Sequence, residues 1–215
     1  MRIVLCSDTW LPQVNGVSRT LHRLMAHLLD RGHEVALVTP ELGESGAEGD
    51  GARVHIRRPG RPVPLYPDLL VTLPLGRGSA RALDEFEPHV VHCATESVLG
   101  WSVRRWALAR GIPLVTSYHT NFAEYAGEYG LGRLKGVAWS LLRRFHSPAR
   151  ATLCPSTPTL EELSERGFHP RTRVWSRGVD ANRFHPGRRS GAWQPSPRSG
   201  NGPGGKQGSR WGWSW

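Results

Sequence analysis

What this sequence has little of narrows it first. It holds three cysteines in 215 residues, with no CxxC pair and no histidine at zinc spacing beside them. Cys6, Cys93 and Cys154 each sit in a short apolar run, so buried reduced thiols are expected rather than metal ligands or nucleophiles. No stretch approaches the roughly 18 consecutive apolar residues of a membrane-spanning helix. The apolar run after Arg2 stops at Ser7 and Asp8, shorter than a secretory h-region of about 7 residues or more, so an intracellular, cytoplasmic protein is expected. GxGxxG, GxxxxGK[ST], GxSxG and HExxH are all missing, which leaves a hydrolase elbow and a metal site without support. Acidic residues are missing beyond Asp180, where Arg183, Arg188, Arg189, Arg198, Lys206 and Arg210 carry six of the ten net positive charges. The body is therefore only mildly basic. Without a helix-turn-helix, RNP or zinc-knuckle pattern, specific nucleic-acid binding is not expected.

What is present alternates. Short apolar runs at Ile3–Cys6, His33–Thr39, Arg53–Arg57, His89–Cys93, Ile112–Ser117, Ala151–Cys154 and Arg173–Trp175 read as strands. Helical spacing is visible from Val17 to Arg31, over Arg77–Phe86, Glu96–Arg110, Arg133–His146 and Thr157–Arg166. Strands alternating with helices predict an α/β, doubly wound, parallel-sheet Rossmann-like domain with right-handed crossovers. Pro59, Pro62, Pro64, Pro67 and Pro74 predict an extended, irregular segment. From Gly187 the apolar periodicity ends, and Gly, Pro, Ser, Arg and four tryptophans predict a disordered tail over 187–215 after a domain spanning 1–186.

The chain is organised around DTWLPQVNGVSRTL, Asp8 to Leu21, where the first strand crosses into the first helix. Asn15-Gly16 supplies a turn, with Gly16 tolerant of positive φ and of close backbone approach. A helix start behind such a turn favours an anion, because its first N–H groups lack intrahelical partners and the helix dipole is positive there. An ordinary βα turn competes with that reading. Asp8 is either a ligand-contacting residue or a cap on its own loop. Tyr118, His119 and Thr120 follow the Ile112–Ser117 run, at a strand carboxyl end, where open parallel sheets bind ligands, with a satisfied structural histidine as the competing reading of His119.

Three ordered stretches, DTWLPQVNGVSRTL, SYHTNF (Ser117–Phe122) and SRGVDANRFHP (Ser176–Pro186), resemble the family 4 glycosyltransferases of GT-B fold, in the branch of α-mannosyltransferases and sulfoquinovosyl or glycolipid transferases. The resemblance implies the N-terminal, acceptor-side half of such an enzyme. It implies a retaining transfer of a hexose, mannose from GDP-mannose foremost or a sugar from a UDP donor, to a lipid or glycan hydroxyl, with no other cofactor and no obligatory metal. His119 would face the transferred sugar as the catalytic residue, and Asn15 and Gly16 would lie by the donor diphosphate. Asp8, Gln13, Tyr118 and Thr120 would contact the acceptor. Arg177, Gly178 and Asp180 would form a hinge or cleft edge, with plain turn chemistry as the competing reading. Glu124 and Glu128 are minor acceptor candidates beside a solvated-face reading.

The helix Arg133–His146 carries Arg133, Lys135, Arg143 and Arg144 around an apolar stripe. It reads either as a surface helix packed on the sheet or as a basic interfacial helix on an anionic membrane surface at the inner face of the plasma membrane. Members of the family continue into a second Rossmann-like domain with an ExxxxxxxE pair. The change of composition at Gly187 points to a shifted reading frame or truncated gene product. A non-catalytic remnant, or a module that binds an acceptor or a membrane surface, is the alternative to an enzyme.

Overall fold

In a computed structural model, the structure describes residues 1–13, 15–41, 51–63, 66–119, 135–178, 181 and 185–188. One compact unit runs from Met1 to Arg177 and a second from Gly178 onward. In the first, strands β1 (Arg2–Cys6), β2 (Glu34–Pro40), β3 (Val54–Arg58), β6 (Val90–Cys93), β7 (Leu114–Ser117), β8 (Ala151–Cys154) and β9 (Thr172–Val174) form one sheet. Its order is β3-β2-β1-β6-β7-β8-β9, and every pair is parallel. The strand order reverses between β1 and β6, which defines the switch point of a Rossmann-like sheet.

Two faces of β1 explain the layering. Alternate residues point to opposite sides of a strand. Ile3 and Leu5 pack with Leu21 and Met25 of helix α1 (Gly16–Asp30), together with Trp10, Val35 and Leu37. Val4 and Cys6 face the other cluster, which holds Leu83 and Phe86 of α2 (Arg77–Phe86), Leu99, Val103 and Trp106 of α3 (Val98–Ala109), and Phe145 of α4 (Lys135–His146). Helices thus cover both faces, and the β1, β2 and β6 runs read as continuously apolar because both of their sides are buried. A third cluster joins Trp139 and Leu142 of α4 to Cys154, Phe168 and Leu163 of α5 (Thr157–Glu165). All three cysteines are free and buried, as expected. Helix α1 stops at Arg31, and Gly32 follows in the left-handed region at φ 74°, the usual glycine exit from a helix.

The proline-rich segment departs from expectation. β4 (Gly60–Val63) and β5 (Tyr66–Thr72) form an antiparallel pair, with a register shift between Pro62 and Val63. Proline cannot donate a ladder hydrogen bond, but each strand of a two-stranded ribbon needs ladder donors on one side only, which leaves positions that proline can occupy. Composition alone reads as irregular what pairing makes regular.

The interior also carries a polar chain. His146, fully buried on α4, places Nδ1 2.8 Å from Thr116 Oγ1 and Nε2 3.1 Å from Glu96 Oε1. Thr116 pairs with Thr152, and Thr152 with His169 Nε2, each at 2.9 Å. Buried polar groups of this kind are tolerated when satisfied and fix a single packing. Among the described residues no helix is long and apolar enough to cross a membrane. The disordered-tail expectation, with Arg189 to Trp215, lies outside the described residues; Pro186–Arg188 form one 3-10 turn.

Candidate active site at the strand carboxyl ends

The switch point is built by residues just beyond β1 and β6. Asp8 donates its backbone N–H to Thr95 Oγ1 at 2.9 Å, tying the two strand ends together. The Asp8 carboxylate accepts from Thr72 Oγ1 of β5 at 2.8 Å, so the hairpin is anchored to the same point. Among the described residues the Asp8 carboxylate thus bonds the hairpin. Burial pushes its carboxyl up to about 6, against the opposing hydrogen bonds from Thr72 and Thr95, with the nearby Glu96 charge adding to the rise.

Helix α1 begins with a reciprocal cap. Asn15 Oδ1 accepts from the backbone N–H of Val17 at 3.0 Å and of Ser18 at 2.9 Å, while Ser18 Oγ accepts from Asn15 N at 3.1 Å. Ser18 Oγ also donates to Gln13 O at 2.7 Å, and the Asn15 amide nitrogen bonds Thr9 Oγ1. The Asn15 side chain is thus committed to holding the loop, and what it exposes is the helix start itself. Gly16 is the first helical residue and its φ is not positive, so the reason for glycine there is space. A Cβ on Gly16 would lie 3.5 Å from Arg177 Nη1. That is ordinary contact for a methyl group, but the branches of valine would press on the guanidinium. Gly16→Ala should leave stability near the native value, whereas Gly16→Val should displace Arg177 and cost about 1 kcal/mol or more, measured by urea unfolding.

His119 follows β7 and Arg177 follows β9, on strands two apart in the sheet. Arg177 Nη2 donates to His119 Nδ1 at 2.9 Å. Trp175 lies between the two histidines of the site, with its ring 6.2 Å from both His119 and His92. His92 Nε2 pairs with Ser117 Oγ at 2.7 Å. His119 Nε2 is buried and has no hydrogen-bond partner among the described residues. Burial holds the imidazole down to about 3, helped by the Arg177 charge and by His92; burial alone takes His92 to about 4. Both are neutral near pH 7.

The remaining expected residues separate. Tyr118 is 2 % exposed and its ring lies in the third core cluster, stacked at 6.4 Å on Trp139 and edge-on to Phe168 and His146. Gln13 closes a turn by donating its backbone N–H to Trp10 O at 3.0 Å. Gly178 has φ 68°, which suits a turn. Arg143 donates to Arg166 O at 3.0 Å and Arg144 lies exposed on α4. Thr120, Glu124, Glu128, Arg133 and Asp180, and the Lys135 side chain, lie outside the described residues. Sequence reading missed Thr72, Thr95, Trp175 and His92. Only His92, a polar residue inside the apolar run HVVHC, left a signal. A cavity of about 310 Å³ lined by Arg2, Arg53 and Glu87 lies at the opposite, amino-terminal ends of β1 and β3, and its charges already form the pairs Arg2–Glu87 and Arg53–Glu34.

The raised acid and the depressed bases oppose each other in the stability curve. A histidine with a depressed folded pKa contributes stability that is complete above about 6.5 and is lost as pH falls toward the folded value. A carboxyl raised from 3.8 to about 6 does the reverse: it stabilises below 3.8 and loses that contribution as pH rises through 6. Near pH 5, His92 and His119 together release about two protons on folding while Asp8 takes up about one. Asp8→Asn removes the uptake. The variant should be more stable than the native chain at pH 7.5, by about 1–3 kcal/mol at about 1.4 kcal/mol per pKa unit, and should lose stability more steeply between pH 6 and 4.5. Urea midpoints across that range check both signs.

A parallel sheet with helices on both faces, a glycine-opened helix start at the switch point and polar groups converging at the carboxyl ends define a Rossmann-like domain of the kind that handles nucleotide-bearing ligands. The sequence profile of Glycosyltransferase Family 4 matches residues 14–183, and the chain belongs to that family. It is 40 % identical over 197 residues to the GDP-mannose-dependent alpha-mannosyltransferase of Mycobacterium tuberculosis, covering 88 % of this chain and 50 % of that one. It is 30 % identical over 179 residues to sulfoquinovosyl transferase SQD2 of Arabidopsis thaliana, covering 82 % of this chain and 35 % of that one. Among solved structures, sucrose-phosphate synthase from Thermosynechococcus elongatus superposes with a TM-score of 0.59 at 16 % identity, over 86 % of this chain and 50 % of that one. That likeness is one of fold. The chain spans about half the length of the mannosyltransferase relative.

Proposed function

We propose that residues 1–186 form the acceptor-side domain of a retaining glycosyltransferase that moves a hexose, mannose from GDP-mannose, to a lipid or glycan hydroxyl. The observation that carries this reading is the convergence, at one end of the sheet, of Gly16, Arg177 and the Nε2 of His119, which has no partner among the described residues, in a chain 40 % identical to a GDP-mannose-dependent mannosyltransferase. In this reading the start of α1 and the Arg177 charge favour the donor diphosphate. His119 Nε2–H hydrogen-bonds a sugar oxygen, Asp8 and Thr120 meet the acceptor, and Gly178 and Asp180 shape the cleft edge. The leaving phosphate serves as base, which is consistent with the two neutral histidines. The donor-selecting half is supplied by a second Rossmann-like domain, and the change of composition after Gly187 reflects a shifted reading frame.

The test joins residues 1–186 to the carboxyl-terminal half of the mycobacterial relative and measures transfer of labelled mannose from GDP-mannose to a lipid or oligomannose acceptor. Transfer is expected. A folded chimera that transfers from neither GDP-mannose nor a UDP-sugar would sink the enzyme reading and leave a binding remnant. Sequencing the encoding DNA from the Phe184 codon tests the frame: a second βαβ pattern with an ExxxxxxxE pair in another frame is expected, and only stop codons would remove that explanation.

A second reading, docking on an anionic membrane, is favoured by α4, where Val137 and Leu141 are 55 % and 53 % exposed one turn apart on the helix that bears Arg143 and Arg144. Apolar side chains beside cations suit a lipid interface. Vesicles with 30 % anionic lipid should co-sediment the chain, and Leu141→Glu should abolish this; binding indifferent to anionic content would defeat the reading.

A further inference from the structure

The pairing of His119 with an arginine has a chemical meaning that differs from the usual one. A histidine in an acid–base site is commonly oriented by a carboxylate, which accepts the Nδ1 proton and makes the ring a stronger base. Here the orienting group is a guanidinium, which has five N–H donors and no acceptor. Arg177 Nη2 stands 2.9 Å from His119 Nδ1, so Nδ1 must offer its lone pair. A neutral imidazole has one proton, and it is then on Nε2. That nitrogen is the buried atom without a partner among the described residues.

We propose that Arg177 is a positioning residue that fixes the proton of His119 on Nε2, so that the ring is a neutral, permanently aimed hydrogen-bond donor to an oxygen of the bound sugar nucleotide. The inference rests on the glycosyltransferase reading for the identity of that oxygen, and on this chain alone for the protonation. Every described charged or titratable group facing the ring agrees. His92 is held by Ser117 and neutral, Trp175 offers a ring at 6.2 Å, Gly16 leaves room for the guanidinium, and no described carboxylate bonds the ring. Burial and the adjacent Arg177 charge both oppose a second proton. His119 therefore cannot relay a proton or act as a cation between pH 5 and 8. It stabilises developing charge by donation, as oxyanion-type donors do. No proton changes hands at this ring during turnover.

The measurement is nitrogen-detected NMR of the ¹⁵N-histidine-labelled 215-residue chain, with His119 assigned by loss of its signals in His119→Gln. The expected native pattern is one pyrrole-like Nε2 and one pyridine-like Nδ1, unchanged from pH 8 to pH 5. Arg177→Lys, which can still donate, should keep it. Arg177→Met should admit the Nδ1–H form and move the titration up toward the ordinary histidine range. A native ring that is Nδ1-protonated, or cationic by pH 5, overturns the proposal, as does an Arg177→Met ring identical to the native one. Should Arg177→Met fail to fold, the native and Arg177→Lys patterns decide. No donor or acceptor is present, so a chain that transfers no sugar leaves this result intact, and a wrong tautomer leaves the transfer assay standing.

Discussion

On the proposed reading, replacing His119 by alanine in the chimera that carries residues 1–186 should lower kcat by about 10²–10³, the usual cost of removing one donor aimed at developing charge. The fold should survive, because among the described residues the imidazole's hydrogen bond is to Arg177 and the core clusters do not include it. The split between constants carries the argument. A donor that strengthens in the transition state lowers kcat and kcat/KM together, while a group used only to bind raises KM. Since the ring is neutral well below pH 6, the native pH profile should show no limb belonging to His119, and the His119→Ala profile should be parallel to it. Steady-state rates from pH 5.5 to 8 test both. Unchanged turnover would remove His119 from the site.

The largest loss of stability is expected at Gly100. A Cβ there would lie 2.1 Å from the backbone carbonyl oxygen of Thr95, closer than any real contact, and the obstacle is main chain rather than a movable side chain. Gly100 is buried at the start of α3, where its N–H donates to the capping Ser97 Oγ at 3.0 Å. To admit a methyl group, α3 must lift away from the end of β6. The cost should be about 3 kcal/mol or more, at the upper end of overpacking effects, against a total stability of about 5–15 kcal/mol. The displaced Thr95 also holds Asp8 N, so Gly100→Ala should reach the site as well as the core. Urea unfolding monitored by tryptophan fluorescence gives the first quantity, and the shift of the Asp8 amide resonance the second. A loss under about 1 kcal/mol would mean that the Thr95 turn yields easily.

How much of this could be read beforehand differed by the kind of force involved. The parallel sheet was legible because its strands are buried on both faces and its helices carry a 3.6-residue stripe, both of which depend on neighbours in sequence. His119 stood out in the sequence because it falls just past a strand run, and Gly16 because it opens a helix. The hairpin was not, since pairing of Gly60 with Thr72 is a property of two segments and proline hides it locally. Tyr118 looked like its neighbour His119, but successive residues leave a strand in opposite directions, and the tyrosine turned inward to Trp139. The link between Arg177 and His119 spans 58 positions, and no local pattern carries it. Gly16 was read both for positive φ and for close approach; its φ is not positive, and the group that approaches it here is the Arg177 guanidinium.

The place of β1 in the sheet has a consequence for synthesis of the chain. Among the described strands β1 precedes the others, yet it ends between β2 and β6, and its pairing of Ile3 with Val90 must wait for about ninety further residues. At roughly 5–20 residues per second the nascent chain carries an open, apolar strand edge for about 4–18 seconds. Such an edge is a template for unwanted pairing, so the hydrophobic centre that makes the finished domain secure is also the part of the newborn chain most in need of shelter on the ribosome.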